Sequence, residues 1–477
     1  MLRSFRLENH RSFRDEAELS FLSAYGSDRM AVPVAAVYGA NAAGKSNLLH
    51  GLRFMTNAVR DSYRRWDPDG GVPRAPFRLG GPARTNPSTY VVELLIDGVK
   101  YVYGLVVDDD VVCDEWLYSY PKGKRRKLFS RGQDGIELGE SLSAPRALTD
   151  VLTELIRPNS LFLSLAAQLR IPELTPVHHW FVGGGIQWSD DVSRAGTASS
   201  ANDRSKASVI RRVESRSGMM RVFSQGPIIS ILADSSDENS DRRDRFLALL
   251  LSADVGIQDV ILEEDRNGQN ELLVAYQERI SIAQDVLDRA EESGDQERIA
   301  RALRERNFAL SRFERVVRDG QRLTVKFNHG GAELFDVSDE SMGTLAWLSL
   351  LPTALSVLSE GGLLVVDEID SSLHPNLTAL LIKQFRSPNV NEHGAQLLFT
   401  THDATLLGTA FGEEVLGRDE VWFVEKESDG ASRLYPLTDF HPRTGENRER
   451  RYLGGSYGGV PVVGDPALRA RELTERL

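Results

Sequence analysis

A single cysteine, Cys113, in 477 residues excludes a disulfide framework and any metal site built on several thiolates, and it suits a reducing compartment. The opening residues, Met1-Leu-Arg-Ser-Phe-Arg6, lack the apolar core of a secretory leader, so a cytoplasmic location is expected. Long hydrophobic runs are scarce too. The one uncharged stretch of span length, residues 341–359, contains Gly343, Pro352 and several Ser and Thr residues between two polar motifs, which predicts a buried helix and no membrane partner. Histidine is sparse, and the adjacent pair His178-His179 lacks the spacing of a zinc site. No internal repeat is present. What the chain does have is ordinary for roughly two to four globular domains: 41% hydrophobic and 26% charged residues. Basic side chains number 57 against 69 acidic ones, a net charge of −12, which argues against a general nucleic-acid coating protein but leaves room for a local basic patch.

Three textures divide the chain, with boundaries expected at 185/186 and 318/319. In residues 1–185, the run AVPVAAVY at 31–38 predicts a buried strand and 46–60 the helix after it. Residues 90–96, 101–107 and 115–120 predict antiparallel strands joined by turns at Asp97-Gly98 and Asp108-Asp109-Asp110. Residues 186–318 read as an insertion. Its segment 189–218, rich in Ser, Arg, Asp and Gly, predicts a mobile or partner-ordered loop. Helical spacing follows over 277–317, with Ile282, Val286 and Ala290 on one face, a break at Glu292-Ser-Gly-Asp295, then Ile299, Leu303, Leu310, Phe313 and Val317. That pattern predicts an antiparallel helical hairpin with arms of only about 22–30 Å. Residues 319–477 return to strand–helix alternation, and 363–366, 396–400 and 421–424 read as strands of a parallel sheet.

Gly39-Ala-Asn41-Ala-Ala-Gly44-Lys45-Ser46-Asn47 follows the buried strand at once and opens a helix, satisfying G-x-x-x-x-G-K-[ST] in the required context. Glycines let backbone N–H groups close around phosphate oxygens, and the new helix presents its positive end to them. Lys45 is expected at the β/γ-phosphates of ATP and Ser46 on Mg²⁺, with Gly39, Asn41, Gly44 and Asn47 completing the loop. Leu363-Leu-Val-Val-Asp367-Glu368 supplies a carboxylate at the C-terminal end of a second apolar strand, where α/β sheets bind ligands. Asp367 is expected to hold Mg²⁺ and Glu368 to polarise the attacking water. Gln396-Leu-Leu-Phe-Thr-Thr-His402-Asp403 ends another strand with a histidine placed to touch the γ-phosphate or orient water. Asp339-Glu-Ser341-Met-Gly343-Thr344 opens a further helix, a second anion-binding end. Two unrelated helix N-termini do not easily serve one nucleotide, so Ser341 and Gly343 are expected to act on the ATP of a second copy.

With these pieces in this order the chain resembles an ABC-type ATPase head of the RecF/SMC/overcoming-lysogenization-defect group. More narrowly it resembles the RloA-like ATP-binding proteins of bacterial restriction and abortive-infection loci, to which the PARIS ATPase AriA is related. Besides the nucleotide motifs, the resemblance rests on Phe5-Arg-Leu-Glu-Asn-His-Arg-Ser-Phe13, Pro76-Phe-Arg-Leu79, Glu115-Trp-Leu-Tyr118 and Asn159-Ser-Leu-Phe-Leu-Ser164. It continues in Asp367-Glu-Ile-Asp-Ser-Ser-Leu-His-Pro375, Trp422-Phe-Val-Glu-Lys426 and Tyr452-Leu-Gly-Gly-Ser-Tyr-Gly-Gly-Val-Pro461. His10 stands where the family more often has Phe, and residues 186–255 and the hairpin match nothing. The resemblance implies ATP hydrolysis by Lys45, Ser46, Asp367, Glu368 and His402, with Ser341 and Gly343 acting in trans. It further implies an Asp370 loop facing the opposite subunit and a lobe-linking glutamine near the metal, for which Gln168 is the candidate. The toprim nuclease domain of the overcoming-lysogenization-defect proteins needs a Glu and a later Asp-x-Asp, and residues 404–477 contain no Asp-x-Asp.

The expected fold is therefore α/β: a P-loop NTPase of ABC-ATPase head type with an antiparallel β lobe and an inserted helical region bearing a short coiled-coil hairpin. The expected function is an ATPase that dimerises around ATP and serves as sensor or regulatory subunit of an anti-phage system, its nuclease or toxin effector encoded separately. A homodimer or higher homo-oligomer is expected. A RecF-like DNA-end or repair ATPase is the alternative, and a scaffold that rarely hydrolyses ATP a third. Nucleic acid stays open as a partner. The basic turn Lys122, Lys124, Arg125, Arg126 and Lys127, beside Trp116, Tyr118 and Tyr120, is either a solvated hairpin tip or a phosphate grip. Arg204, Lys206, Arg211, Arg212 and Arg216 leave the same choice.

Overall fold

The structure, a computed structural model, describes residues 1–25, 31–140, 142, 152, 154–169, 171–189, 210–212, 222–233, 237–253, 256–264, 266–293, 298–299, 302–303, 305–307, 310, 323–371, 373–443 and 445–460. These fall into two units, residues 1–191 with 353–477, and residues 192–352. Phe313, Val317, Arg204, Lys206, Arg216 and most of the 189–218 segment lie outside the described residues.

The first unit begins with β1 (Leu2–Glu8), β2 (Ala17–Ser20), β3 (Val34–Tyr38) and helix α1 (Lys45–Asp61). Then come β4 (Ser88–Ile96), β5 (Val99–Val107), β6 (Val112–Tyr120), β7 (Arg126–Gly132) and β8 (Gly135–Leu138). All but β3 form one antiparallel sheet in the order β2-β1-β4-β5-β6-β7-β8. Its hairpins follow the turn chemistry of the sequence. Asp97 and Gly98 both take positive φ, 48° and 73°, as a two-residue hairpin loop requires. Asp108 Oδ1 accepts the N–H groups of Asp110 and Val111, so the aspartate triplet is a turn. Fully buried Glu115 ties the sheet to the short helix α2 (Phe162–Ala166). It accepts the Tyr103 hydroxyl at 2.9 Å and the backbone N–H groups of Phe162 and Leu163 at 2.5 and 3.0 Å. Helix α3 (Thr175–Val182) and β9 (Ile186–Trp188) close this part of the chain.

The second unit contains β10 (Ile210–Arg212), β11 (Val222–Ser224), α4 (Gly226–Ala233), α5 (Asp237–Leu251), β12 (Asp259–Glu264), α6 (Arg266–Ser293), β13 (Leu323–Asn328) and β14 (Leu334–Asp336). Two sequence expectations change here. The insertion does not end at 318: β13 pairs with β12 from Leu323↔Glu264 to Asn328↔Asp259, which draws residues up to 352 into this unit. The first hairpin arm is also longer than expected, 28 residues or roughly 42 Å. Its buried stripe is Ala283, Leu287 and Ala290, while Ile282 and Val286 face solvent. Two of the three expected seam positions thus move by one residue, Ile282 to Ala283 and Val286 to Leu287, while Ala290 stays. Two contacts join the arms: Arg279 Nη2 donates to Glu305 Oε1 and Arg306 Nη1 to Gln284 Oε1, both at 2.9 Å.

Helix α7 (Met342–Glu360) crosses the unit boundary at residue 352/353. It is long and apolar enough to cross a membrane, but 67% of its apolar window is buried in the protein. The first unit resumes with β15 (Leu363–Val366), α8 (Pro375–Arg386), β16 (Gln396–Thr401), β17 (Val421–Lys426), β18 (Ser432–Pro436) and the short helix α9 (Arg448–Leu453). These strands join β3 and β9 in a six-stranded sheet, β18-β17-β3-β16-β15-β9, parallel except for the β17–β18 edge. Every residue of β3, β15 and β16 is buried, the pattern of strands covered on both faces. Gln396 joins the two sheets by pairing with Leu2 as a strand would, accepting its N–H and donating to its carbonyl. The architecture is the expected α/β one, with an antiparallel lobe beside a P-loop sheet.

Candidate functional site

Register decides which side chains meet. Tyr38 of β3 lies opposite Thr401 of β16, and Phe399 of β16 opposite Val366 of β15. The P-loop, His402 and Asp367-Glu368 therefore leave the sheet at one edge, with the histidine strand between the other two.

Gly39 and Gly44 take positive φ, 156° and 121°, in which a side chain is strained. A Cβ on Gly39 would strike the Val424 carbonyl, and one on Gly44 the hydroxyls of Ser432 and Ser12. Ser12 also accepts Asn47 Nδ2 at 2.7 Å, which fixes the first turn of α1. Lys45 is buried, its ammonium donating to the carbonyls of Gly39 and Ala40 at 2.8 and 3.2 Å and lying 3.0 Å from His402 Nε2. Burial lowers its pKa, opposed by the carboxylates of Glu368, Asp370 and Asp367. Asn41 lies exposed on the loop, with Ala42 after it at φ 61°.

Ser46 Oγ donates to Asp367 Oδ1 at 3.2 Å. The same Asp367 oxygen accepts the Thr400 hydroxyl at 2.5 Å, and Thr400 Oγ1 in turn accepts the Glu368 backbone N–H at 2.7 Å. Glu368 is exposed and has a left-handed φ of 49°, a conformation costing on the order of 1 kcal/mol for a residue with a Cβ. The bond to Thr400 holds it there. Asp370 turns back into its own chain, its Oδ2 accepting the His402 backbone N–H at 3.0 Å. Within the chain that contact makes Asp370 a support for His402. Its Oδ1 is buried without a partner among the described residues.

Gln168 does not join this edge. Its Oε1 accepts Arg64, three residues beyond the C-terminal end of α1, and that 17-residue helix is about 25 Å long. The expectation that it reaches the metal is corrected by the length of α1. Ser341 and Gly343 belong to the second unit, where Ser341 Oγ accepts the Thr344 N–H at 3.1 Å as the N-cap of α7. Sequence reasoning did not single out Thr400 or Ser12, whose importance arises from pairing between distant segments. Nor did it place the Tyr452–Gly459 segment, which packs behind the P-loop. There Gly459 lies against Gly39, and the Tyr452 ring stacks on Phe423 and meets Tyr38 edge-on. Burial beside Asp370 raises the Tyr452 pKa to about 12. Arg11 also reaches the start of α1, its guanidinium 3.4 Å from Asn47 Oδ1 and 3.0 Å from His50 Nε2.

The donor chemistry fits Mg²⁺. A hydroxyl and a carboxylate converge at Ser46 and Asp367, and among the described residues no group of three or more His, Cys, Asp or Glu forms a dedicated cage. Mg²⁺ is typically held by one or two such oxygens, with the remaining ligands from phosphates and water. The glycine cradle, which any Cβ would fill, fits a triphosphate. When bound, the ion would neutralise charge on the β- and γ-phosphates. Thr400 orients both Asp367 and Glu368, so Thr400→Val should lower ATP hydrolysis about 10–100-fold and raise the Mg²⁺ concentration for half-maximal rate. Thr400→Ser should restore both. Equal Mg²⁺ curves for wild type and Thr400→Val would remove Thr400 from this role.

The model of one protein family, described as "AAA domain, putative AbiEii toxin, Type IV TA system", matches residues 34–190 and 229–408, more than half of the chain. No curated protein matches. Among solved structures, an SMC head bound to the C-terminal winged-helix domain of ScpA is 13% identical with a TM-score of 0.41, covering 92% of this chain and 99% of that one. The SMC head domain from Thermotoga maritima is 13% identical with a TM-score of 0.35, covering 91% and 98%. A Pyrococcus furiosus SMC head with an extended coiled coil, bound to the C-terminal domain of ScpA, is 12% identical with a TM-score of 0.37, covering 92% and 97%.

Proposed function

The chain belongs to this AAA-domain family, and from that premise we propose that it binds and hydrolyses ATP with Mg²⁺ and dimerises around two nucleotides. We further propose that it acts as the sensor or regulatory subunit of an abortive-infection system whose nuclease or toxin is a separate protein. One observation carries the catalytic part: Lys45, Ser46, Asp367, Glu368 and His402 converge at one sheet edge, with Ser46 and Asp367 already in contact at 3.2 Å. Lys45 would bind the phosphates, Ser46 and Asp367 would hold the ion, and Glu368 would take a proton from the attacking water. His402, held through its backbone by Asp370, would orient that water or the γ-phosphate. Closure of the dimer on ATP, with Ser341 reaching the partner's nucleotide, would be the signalling state, and hydrolysis would release it. The family description, with its toxin and toxin–antitoxin terms, supports the defence setting.

The test is affinity capture of tagged Glu368→Gln from its native cells with ATP and Mg²⁺. A stoichiometric second protein carrying nuclease or toxin motifs is expected, and it should be lost from a Lys45→Ala capture. Recovery of nucleic acid ends or gaps with no second protein would replace the defence reading with that of a repair ATPase.

A further inference from the structure

We propose that the turn joining β6 and β7 docks the phosphate backbone of duplex nucleic acid. Lys122, Lys124, Arg125, Arg126 and Lys127 crowd this turn in a chain whose net charge is −12. Backbone geometry makes the turn sharp: Lys122 and Gly123 are consecutive left-handed residues, φ 55° and 77°. The end of β8 runs alongside, Gly139 donating its N–H to the Leu128 carbonyl at 2.8 Å. Between the two lies a cavity of about 1090 Å³, lined by all five cations and by Glu137 and Glu140. Glu137 pairs with Lys127. Lys122, Lys124, Arg125 and Arg126 stand exposed at the rim.

Two observations choose the ligand. A local positive excess attracts a polyanion, and at physiological salt the distant negative charge of the chain is screened beyond about 8 Å, so the patch acts on what docks against it. The nearby aromatic rings then separate backbone from base recognition. Tyr118 and Tyr120 share a face of β6, but the Arg125 guanidinium lies 3.9 Å from the Tyr118 centroid and the Lys100 ammonium 4.2 Å from that of Tyr120. Rings covered by cations are poor platforms for unpaired bases, which single-strand binders stack on open aromatic faces. The turn therefore offers charge to phosphates and little to splayed bases. None of the residues proposed to act on ATP lies in it, so this inference stands apart from the ATPase reading.

Fluorescence anisotropy of the full chain with a labelled duplex of about 25 base pairs, titrated with salt, tests it. Wild type should bind with a log–log salt slope of about −3 to −4, as four phosphate contacts predict. The Lys124→Ala/Arg125→Ala/Arg126→Ala variant should bind at least about 10-fold more weakly in low salt, with a slope shallower by roughly 3. Its thermal midpoint and its phosphate release without nucleic acid should match wild type. The charge-keeping Lys124→Arg/Arg125→Lys/Arg126→Lys variant should retain the slope. The proposal is overturned if wild type binds no duplex, if the alanine variant keeps affinity and slope, or if a single strand of equal length binds tighter than the duplex.

Discussion

Glu368→Gln should bind ATP as wild type does and hydrolyse it about 10²–10⁴-fold more slowly, while Lys45→Ala should lose nucleotide binding. The first expectation follows from the place of Glu368 at the sheet edge. Its side chain is exposed and makes no hydrogen bond among the described residues, so the internal interaction an amide there gives up is the electrostatic one with Lys45. What the amide loses is the capacity to take a proton, and removing a positioned general base commonly costs that factor. The left-handed φ of 49° sharpens the argument. Glycine would relieve that strain, so Glu368→Gly should be as stable as wild type or slightly more so, and equally inactive. Stability and activity would then move apart, the signature of strain kept for function. Lys45 differs, because its ammonium also spans the carbonyls of Gly39 and Ala40. Its removal takes away a charge-assisted phosphate contact and loosens the loop that cradles the others. Calorimetric ATP binding and single-turnover phosphate release separate the two variants. Hydrolysis at the wild-type rate by Glu368→Gln would give the base to another residue.

The parts of this site that were legible in the sequence are those in which chemistry and local structure coincide. A continuous apolar run followed by Gly-x-x-x-x-Gly-Lys-Ser specifies strand, loop and helix together, and the structure has β3, the loop and α1 in that order. The Asp-Gly and Asp-Asp-Asp turns were legible for the same reason, since the geometry sits in the residues themselves. Thr400 was not. It is one of two adjacent threonines in a buried strand, and only the pairing of β15 with β16 brings it to Asp367 and Glu368. Gln168 differs: a resemblance named a residue type, but the side chain follows α2 and meets Arg64 beyond the far end of the 17-residue α1. The hairpin face failed by a single position. Ile282 and Leu287 are equally apolar, yet Leu287 is buried with Ala283 and Ala290 while Ile282 is exposed. Non-local register and side-chain volume decide such cases, and neither is encoded in a window of sequence.

Mixing Lys45→Ala chains with Ser341→Arg chains should restore ATP hydrolysis that neither variant shows alone. In a two-fold dimer whose sites each combine one chain's P-loop with the other chain's Ser341, either homodimer has two broken sites. A mixed dimer has one intact site, made of the Ser341→Arg chain's P-loop and the Lys45→Ala chain's serine. Random exchange of equal amounts makes half of the dimers mixed, so recovery should reach roughly one quarter of wild type. The structure sets a condition on the serine variant. Ser341 Oγ caps α7 through the Thr344 N–H, so arginine there removes a cap and costs about 1 kcal/mol for a reason unrelated to nucleotide. Ser341→Asp keeps a capping oxygen and brings a negative charge to where a phosphate would dock. It should be as inactive as Ser341→Arg, melt near wild type and complement Lys45→Ala equally well. A variant that is inactive because α7 has frayed would melt lower, and aspartate would rescue it. If mixtures with either serine variant stay at the level of the parents, Ser341 acts within its own chain or not at all, and the composite site is wrong. Recovery to a quarter with Ser341→Asp would place the serine of one copy on the nucleotide of the other, because no arrangement confined to one chain gains activity by mixing.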